Sequence, residues 1–263
     1  MTYCVAVSTG AGLVFCSDSR TNAGPDILSA YSKMHTYELD KDRMLVLLSA
    51  GNLATTQSVI SQIDADLEDR EVESLASCER MVDVAKYVAR VSREQQEQAK
   101  DSTGDSDINT SASFIVGGQI RGAEPSIYMI YSAGNFISDS EATPYLQIGE
   151  SKYGKPILDR ILSPQTSLED AARCALVSMD STMRANATVG PPIEVLVYEA
   201  DTFEADHYIK LDEEDSYLPT IRKAWSEAIQ TAFCDLPLFE WERRSAPPLQ
   251  AVSDSQSAED TKQ

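Results

Sequence analysis

Alternating and unbroken apolar stretches in the first fifty residues predict β-strands. Residues 2–7 and 12–17 are rich in Val, Tyr, Phe and Cys, and a glycine-containing segment joins them, which predicts a β-hairpin. A strand is also predicted at 43–49, where the unbroken apolar run indicates that both faces are buried. The same patterns predict further strands at 32–37, 112–117, 126–132, 145–148, 193–198 and 207–211.

Apolar residues spaced three and four positions apart predict helices between these groups of strands. The first helix runs from Leu53 to Leu67, and a second amphipathic helix is predicted at 75–99. Further helices are predicted around 157–162, from a capping-box start at Ser167, and at 215–234. The chain therefore alternates groups of strands with pairs of helices.

This grouping of elements bears directly on the fold class. In a doubly wound parallel sheet, single helices would alternate with single strands along the chain. The predicted order is strands, two helices, strands, two helices and strands, which instead indicates an α+β protein. We expect two antiparallel sheets stacked between helical layers, which is a four-layer αββα sandwich.

Composition and charge narrow the possible functions. A formal net charge of -20 opposes binding to nucleic acids and to anionic membranes. The chain has only two histidines, and its five cysteines form no C-x-x-C pair, so we predict reduced cysteines, no metal site and no cofactor. No signal peptide is evident, and the apolar runs are far shorter than the roughly 20 residues that cross a bilayer. A cytoplasmic protein is predicted.

The second residue of the chain, Thr2, can carry chemistry that an internal threonine cannot. Methionine is usually trimmed before a small residue, and removal of Met1 would leave Thr2 with both a hydroxyl and a free α-amine. The pKa of such an amine lies near ~7.7–8.0, so it can act as the base for the hydroxyl of its own residue. The simpler interpretation is that Thr2 only begins an edge strand.

A series of short motifs resembles the proteasome-type peptidases, which are N-terminal nucleophile hydrolases. Thr2 opens a strand, Asp18 lies in the segment Ser17-Asp18-Ser19-Arg20 after the next one, and Lys33 follows Ser32. Gly51 comes after a buried strand and before a helix. The segments that begin at Gly149 and Val189 look most like those of the bacterial ancestral β-subunit, Anbu. The resemblance covers residues 2–211.

The resemblance implies a role for each matching residue. Thr2 would be the nucleophile, and Lys33 would lower the pKa values of its amine and hydroxyl by charge. Asp18 would pair with Lys33 and fix its position. The backbone N–H of Gly51 would bind the oxyanion, and Ser151 would be a helper serine. Taken singly, each of these residues also fits a structural or surface role.

Two departures from the family pattern accompany the match. The interval from Thr2 to Lys33 is one residue shorter than is usual in proteasome β-subunits, which indicates either a small deletion or an offset in the turn at Gly24-Pro25. Where the family has a helper aspartate and serine, this chain has Asn186 and Val189.

The leading hypothesis is therefore a threonine endopeptidase that cleaves peptides or unfolded proteins. A small-amide amidase with the same nucleophile and a catalytically weak scaffold subunit remain as alternatives. The resemblance also implies a homo-oligomer, either a ring or an open spiral, and leaves open whether an ATP-driven unfoldase feeds it.

Three regions are predicted along the chain. Residues 1–211 would form the peptidase domain, and 212–244 a helical extension that carries the aromatic patch from Phe239 to Trp241. The polar residues 245–263 are predicted to be a disordered tail.

Overall fold

Two antiparallel sheets, each of five strands, form the centre of the protein. The computed structural model describes residues 1–22, 28–104, 108–205 and 207–245. Its strands are β1 (Tyr3–Thr9), β2 (Gly12–Asp18), β3 (Arg20–Asn22), β4 (Leu28–Ala30), β5 (Met34–Leu39), β6 (Arg43–Gly51), β7 (Ala112–Ile120), β8 (Ser126–Ile130), β9 (Phe136–Ser138), β10 (Tyr145–Gly149), β11 (Ile193–Glu199) and β12 (His207–Leu211). Its helices are α1 (Leu53–Glu68), α2 (Met81–Thr103), α3 (Ser151–Ile161), α4 (Leu168–Ala185), α5 (Tyr217–Cys234) and α6 (Glu240–Ser245).

Both strands of the chain's first hairpin, β1 and β2, are inner strands of one sheet. The first sheet has the order β10-β1-β2-β11-β12, and the second has the order β5-β6-β7-β8-β9. The predicted hairpin is confirmed, and it closes where Thr9 pairs with Gly12. Gly12 has φ +148°, and a Cβ at this position would lie 2.0 Å from the carbonyl oxygen of Tyr198, so only glycine fits.

Three apolar layers alternate with the sheets and helices. Helices α1 and α2 cover the outer face of the second sheet, and α3 and α4 cover the outer face of the first. The inner layer lies between the sheets and includes Leu13, Phe15, Leu48 and Ile115, all fully buried. The predicted four-layer αββα sandwich is therefore confirmed.

The second helix begins later than its apolar pattern predicts. Residues 75–80 precede α2, which starts at Met81. The guanidinium of Arg43 donates to the carbonyl oxygens of Leu75 and Cys78 at 3.0 and 2.8 Å. These carbonyl groups are satisfied by a side chain from the neighbouring sheet, so the segment keeps its apolar contacts without forming a helix.

Several short elements lack the hydrophobic periodicity from which a strand or helix could be predicted. The β3–β4 hairpin lies in a polar stretch, β9 has three residues, and α6 occupies the region interpreted only as an aromatic patch. The predicted deletion or offset at Gly24-Pro25 falls outside the described residues, and so do residues 246–263 of the predicted tail. Ser245, the first residue of that predicted tail, instead ends α6.

The chain divides into two compact units, 1–223 and 224–263. In the described part of the second unit, the rings of Phe239 and Trp241 stack with centroids 4.3 Å apart, and both side chains are exposed. The predicted domain boundary at residue 211 remains a prediction. In the described part of the chain, no helix is long and apolar enough to cross a membrane.

The contact between Phe15 and Gly117 yields a test of how tightly the two sheets pack. A Cβ at Gly117 would lie 2.8 Å from the ring of Phe15 and 2.7 Å from Ile127. Overpacking of this kind costs about 1–3 kcal/mol, so Gly117→Ala should lower the free energy of unfolding by that amount in urea titrations. Gly10→Ala is the control, because the nearest atom lies 3.4 Å from its added Cβ. Equal stability of the two variants would contradict the described packing.

Candidate active site

Backbone contacts with the end of β10 hold Thr2 directly before β1. Its carbonyl oxygen accepts a hydrogen bond from the N–H of Glu150 at 2.8 Å. Gly149, the last residue of β10, has φ +83°, and a Cβ there would lie 1.9 Å from the Thr2 oxygen. The close approach of these backbones therefore requires glycine at position 149. The next residue, Tyr3, begins β1 and is fully buried.

The carboxylate of Asp18, at the end of β2, joins three parts of the chain. Its Oδ1 atom accepts hydrogen bonds from the N–H of Tyr3 at 3.0 Å and from Nζ of Lys33 at 2.7 Å. Its Oδ2 atom accepts from the N–H of Gly190 at 3.3 Å. Asp18 has no exposed surface, and these three donors surround it within the protein. The predicted pairing of Asp18 with Lys33 is present in the structure.

Burial and charge act in opposite directions on this carboxyl group. Desolvation raises the pKa of Asp18 above its usual value, whereas the ammonium of Lys33 and the N–H donors from Tyr3 and Gly190 counter that rise. Lys33 is also buried, with 7% of its surface exposed, and it donates a second hydrogen bond to the carbonyl oxygen of Arg20 at 2.8 Å. The position of the ammonium group is therefore fixed by two acceptors.

Gly51 ends β6 in a conformation that other residues rarely adopt. Its φ is +122°, and a Cβ would lie 2.3 Å from the carbonyl oxygen of Ser111. The N–H of Ser49 donates to the carbonyl oxygen of Lys33. The N–H of Asn52 donates to the carbonyl oxygen of Ser111 on the opposite side of the strand. Because N–H groups alternate along an antiparallel strand, that of Gly51 is directed to the same side as that of Ser49, toward Lys33.

A cavity of about 920 Å³ opens between these residues. Thr2, Lys33 and Gly51 lie in its wall, and Thr56 and Ile60 of α1 also line it. The predicted nucleophile, cation and oxyanion-binding glycine therefore face one space large enough for a peptide segment. Asp18 lies behind Lys33 and is not part of the wall that the described residues form.

The loop after α4 is packed onto the site by Arg20. Its guanidinium donates to the carbonyl oxygen of Ala187 at 3.0 Å and to Glu213 at 2.9 Å. Its backbone N–H donates to the carbonyl oxygen of Gly190 at 3.3 Å. A Cβ at Gly190 would lie 2.4 Å from Cζ of Arg20, so the two residues are in direct contact. This packing places the N–H of Gly190 against Asp18.

The two predicted helper positions lie away from the cavity wall formed by the described residues. Ser151 is the first residue of α3, directly after Glu150, and its carbonyl oxygen lies 3.4 Å from Nε2 of Gln147. The amide of Asn186 caps the turn after α4 by accepting from the N–H and hydroxyl of Thr188 at 3.0 and 2.6 Å. A helper role for either residue remains a prediction.

Sequence reasoning missed Glu194, the second residue of the strand β11. It is 2% exposed and accepts hydrogen bonds from the hydroxyls of Ser19 and Ser32 at 2.8 and 2.7 Å. The available signal was a carboxylate between the apolar residues of the predicted strand 193–198, since a buried charge normally has specific partners. The N–H of Gly190 had no side-chain signal and could be assigned only from the fold.

A double-mutant cycle tests whether Asp18 and Lys33 form a buried ion pair. Removing one partner leaves the other charge buried, so Asp18→Leu or Lys33→Met alone should each cost about 3–5 kcal/mol in the free energy of unfolding. The double variant should lose clearly less than the sum. The control cycle uses Arg80 and Asp83, a solvent-accessible ion pair at the start of α2, whose coupling should be clearly smaller because water screens the two charges. Additive losses at Asp18 and Lys33 would refute the buried pair.

Comparison with known proteins identifies the family. The family described as "Proteasome subunit" matches residues 2–198, whereas no curated protein matches the chain. Anbu (ancestral beta-subunit) from Yersinia bercovieri is 43% identical, with 91% of this chain and 99% of that chain covered and a TM-score of 0.85.

Two other solved structures are comparably similar. The helical assembly of the Anbu complex from Pseudomonas aeruginosa is 45% identical, with 90% of this chain and 98% of that chain covered and a TM-score of 0.84. Anbu from Hyphomicrobium sp. strain MC1 is 41% identical, with coverages of 91% and 100% and a TM-score of 0.80. The chain therefore belongs to the proteasome subunit family and, within it, to the ancestral β-subunits called Anbu.

Proposed function

We propose that this protein is a threonine-type endopeptidase whose nucleophile is Thr2. Its family supports the coarser assignment to the proteasome-like N-terminal nucleophile hydrolases. The observation that carries the finer one is the position of Asp18, which binds both the N–H of Tyr3, next to Thr2, and the ammonium of Lys33. One carboxylate thereby fixes the backbone at the nucleophile and the neighbouring positive charge.

The proposed reaction begins after the bond between Met1 and Thr2 has been cleaved. While Met1 is attached, the nitrogen of Thr2 belongs to an amide and cannot accept a proton. Met1 is 63% exposed and lies at the cavity, so a processing enzyme can reach it. Its removal produces the free α-amine that the mechanism requires.

In the acylation step, Oγ1 of Thr2 attacks the carbonyl carbon of a bound peptide while the α-amine accepts the hydroxyl proton. The carbonyl oxygen becomes an oxyanion, to which the N–H of Gly51 donates a hydrogen bond. Such donors typically contribute about 2.7–4 kcal/mol. When the carbon–nitrogen bond breaks, the leaving amine takes the proton from the α-ammonium, and the acyl group remains as an ester of Thr2.

Deacylation uses the same groups with water as the nucleophile. The oxygen of a water molecule attacks the ester while the α-amine accepts a proton from that water. When the ester bond breaks, Oγ1 regains a proton from the α-ammonium. The ammonium of Lys33 disfavours a second positive charge nearby, so it lowers the pKa of the α-amine and keeps it available as a base near neutral pH.

We also propose that the protein assembles from copies of itself and acts in the bacterial cytoplasm. The Pseudomonas aeruginosa relative is described as a helical assembly, which supports a homo-oligomer here, either a spiral or a closed ring. Peptides or unfolded proteins are the proposed substrates. The five cysteines are free and four of them are buried, which is typical of a reducing compartment.

The chemical state of Thr2 is the first test of the peptidase. Intact-mass analysis of the active protein should show that Met1 is absent, and Thr2→Ala should abolish peptide cleavage and labelling by a threonine-directed electrophile. Thr36→Ala changes an exposed threonine of β5 and is the matched control with parental activity. Activity in a protein that retains Met1, or in Thr2→Ala, would rule out this mechanism.

Assembly is tested separately from catalysis. Light scattering at micromolar concentration should report a mass well above 28.8 kDa for the parent. Exposed aromatic clusters often mark interfaces, so replacing both Phe239 and Trp241 with Ser should shift the population toward smaller species. Replacing Tyr131, an exposed aromatic residue of the unit 1–223, with Ser provides the control. A stable parental monomer would contradict the proposed assembly.

A further inference from the structure

The proposed catalytic groups come from two different sheets. In the first sheet, Thr2 directly precedes β1 and Asp18 ends β2. In the second sheet, Lys33 directly precedes β5 and Gly51 ends β6. The layer between the sheets is largely apolar and therefore gives little directional control over their alignment. Polar contacts between the sheets at the site must supply that control.

Glu194 makes such a contact next to Lys33. It lies in β11, where it pairs with Ser17 of β2, so its backbone belongs to the first sheet. Its Oε1 atom accepts from the hydroxyl of Ser19 at 2.8 Å, and its Oε2 atom accepts from the hydroxyl of Ser32 at 2.7 Å. Ser19 follows Asp18, and Ser32 precedes Lys33. The carboxylate thus bridges the two neighbours of the buried ion pair.

The hydroxyl of Ser32 also contacts the backbone of Met34, on the other side of Lys33 in the chain. It lies 2.8 Å from the carbonyl oxygen of Met34 and accepts a hydrogen bond from the N–H of Met34 at 3.2 Å. The N–H of Tyr31 donates to the carbonyl oxygen of Ser19 at 2.9 Å. The backbone of Tyr31 and the side chain of Ser32 are therefore tied to Ser19 and Glu194 directly before Lys33.

Two further side chains lie near Glu194. Burial together with the charge of Glu194 raises the pKa of Tyr208, on β12, to about 12. Burial lowers the pKa of His35, although the nearby carboxylates of Asp64 and Glu194 act in the opposite direction. The hydroxyls of Ser19 and Ser32 supply the polar partners that a buried carboxylate requires.

We propose that Glu194 is a positioning residue that holds the Ser32–Lys33 segment against the first sheet and so places the ammonium of Lys33 beside Thr2. Asp18 contacts the ammonium itself, whereas Glu194 fixes the backbone from which the side chain extends. Its effect on rate rests on the proposed peptidase function, but its effect on the position of this segment does not.

Amide hydrogen exchange tests the structural part without requiring activity. Glu194→Met keeps a side chain of similar length but removes both acceptors, so exchange in the segment 31–34 should become about tenfold to a hundredfold faster. Glu194→Gln retains acceptor and donor atoms and should give a clearly smaller change. Asp180→Leu is the control, because Asp180 is also a buried carboxylate but pairs with Arg222 of α5. It should leave exchange in 31–34 at the parental rate.

The kinetic part uses the same variants and the milder Ser32→Ala. Misplacement of a catalytic group by about 1 Å can reduce the rate about a hundredfold. Glu194→Met and Ser32→Ala should therefore lower kcat about tenfold to a hundredfold, leave KM within about twofold, and move the pH–rate profile to higher pH as the α-amine loses the influence of Lys33. Ser32→Thr, which keeps the hydroxyl, should recover most of the rate.

The outcomes separate this proposal from the proposed function. A parental protein that neither cleaves peptides nor reacts with the electrophile would refute the peptidase, and exchange in 31–34 would still decide the role of Glu194. Parental exchange in both Glu194→Met and Ser32→Ala would overturn the positioning role, and so would an unchanged pH–rate profile with parental kcat. Should Glu194→Met fail to fold, Ser32→Ala decides alone, because Ser32 is an exposed residue whose truncation leaves the core intact.

Discussion

The structure of the site depends on keeping the carboxylate of Asp18 charged although it is not exposed to solvent. Asp18 is fully buried, and desolvation of an ionised group costs several kcal/mol unless specific donors replace the solvent. Here the replacements are the N–H of Tyr3, the N–H of Gly190 and the ammonium of Lys33. Because all three must converge on two oxygen atoms, the buried charge restricts the paths of β1, the loop after α4 and the segment before β5.

The sandwich supplies these three groups from parts of the chain far apart in sequence. The first hairpin places Tyr3 and Asp18 on adjacent strands, and β11 pairs with β2 so that the chain at Gly190 passes the end of β2. Lys33 arrives from the second sheet. At this seam between the sheets, Thr2 at the first sheet lines the same cavity as Lys33 and Gly51 at the second. Polar contacts at that seam, including those of Glu194, set an alignment that apolar packing alone leaves loose.

Much of this architecture could be predicted from the sequence because long periodic stretches encode it. The apolar pattern predicted the buried strand ending at Gly51 and the helices on both faces, and the motif order predicted that Asp18 and Lys33 meet. Pattern alone failed where one side chain decided the backbone, as when Arg43 satisfies the carbonyl groups of Leu75 and Cys78 before α2. It also missed Glu194, whose partners are separated from it by about 160 or more residues.

The central claim is that the ammonium of Lys33, held by Asp18, acts on the α-amine of Thr2. The pKa of that amine can be measured in the processed protein from the pH dependence of its acylation by a small amine-specific reagent. The account predicts a value below the ordinary range of about 7.7–8.0, and a return toward that range in Lys33→Met. An ordinary pKa in the processed parent, unchanged in Lys33→Met, would contradict the account.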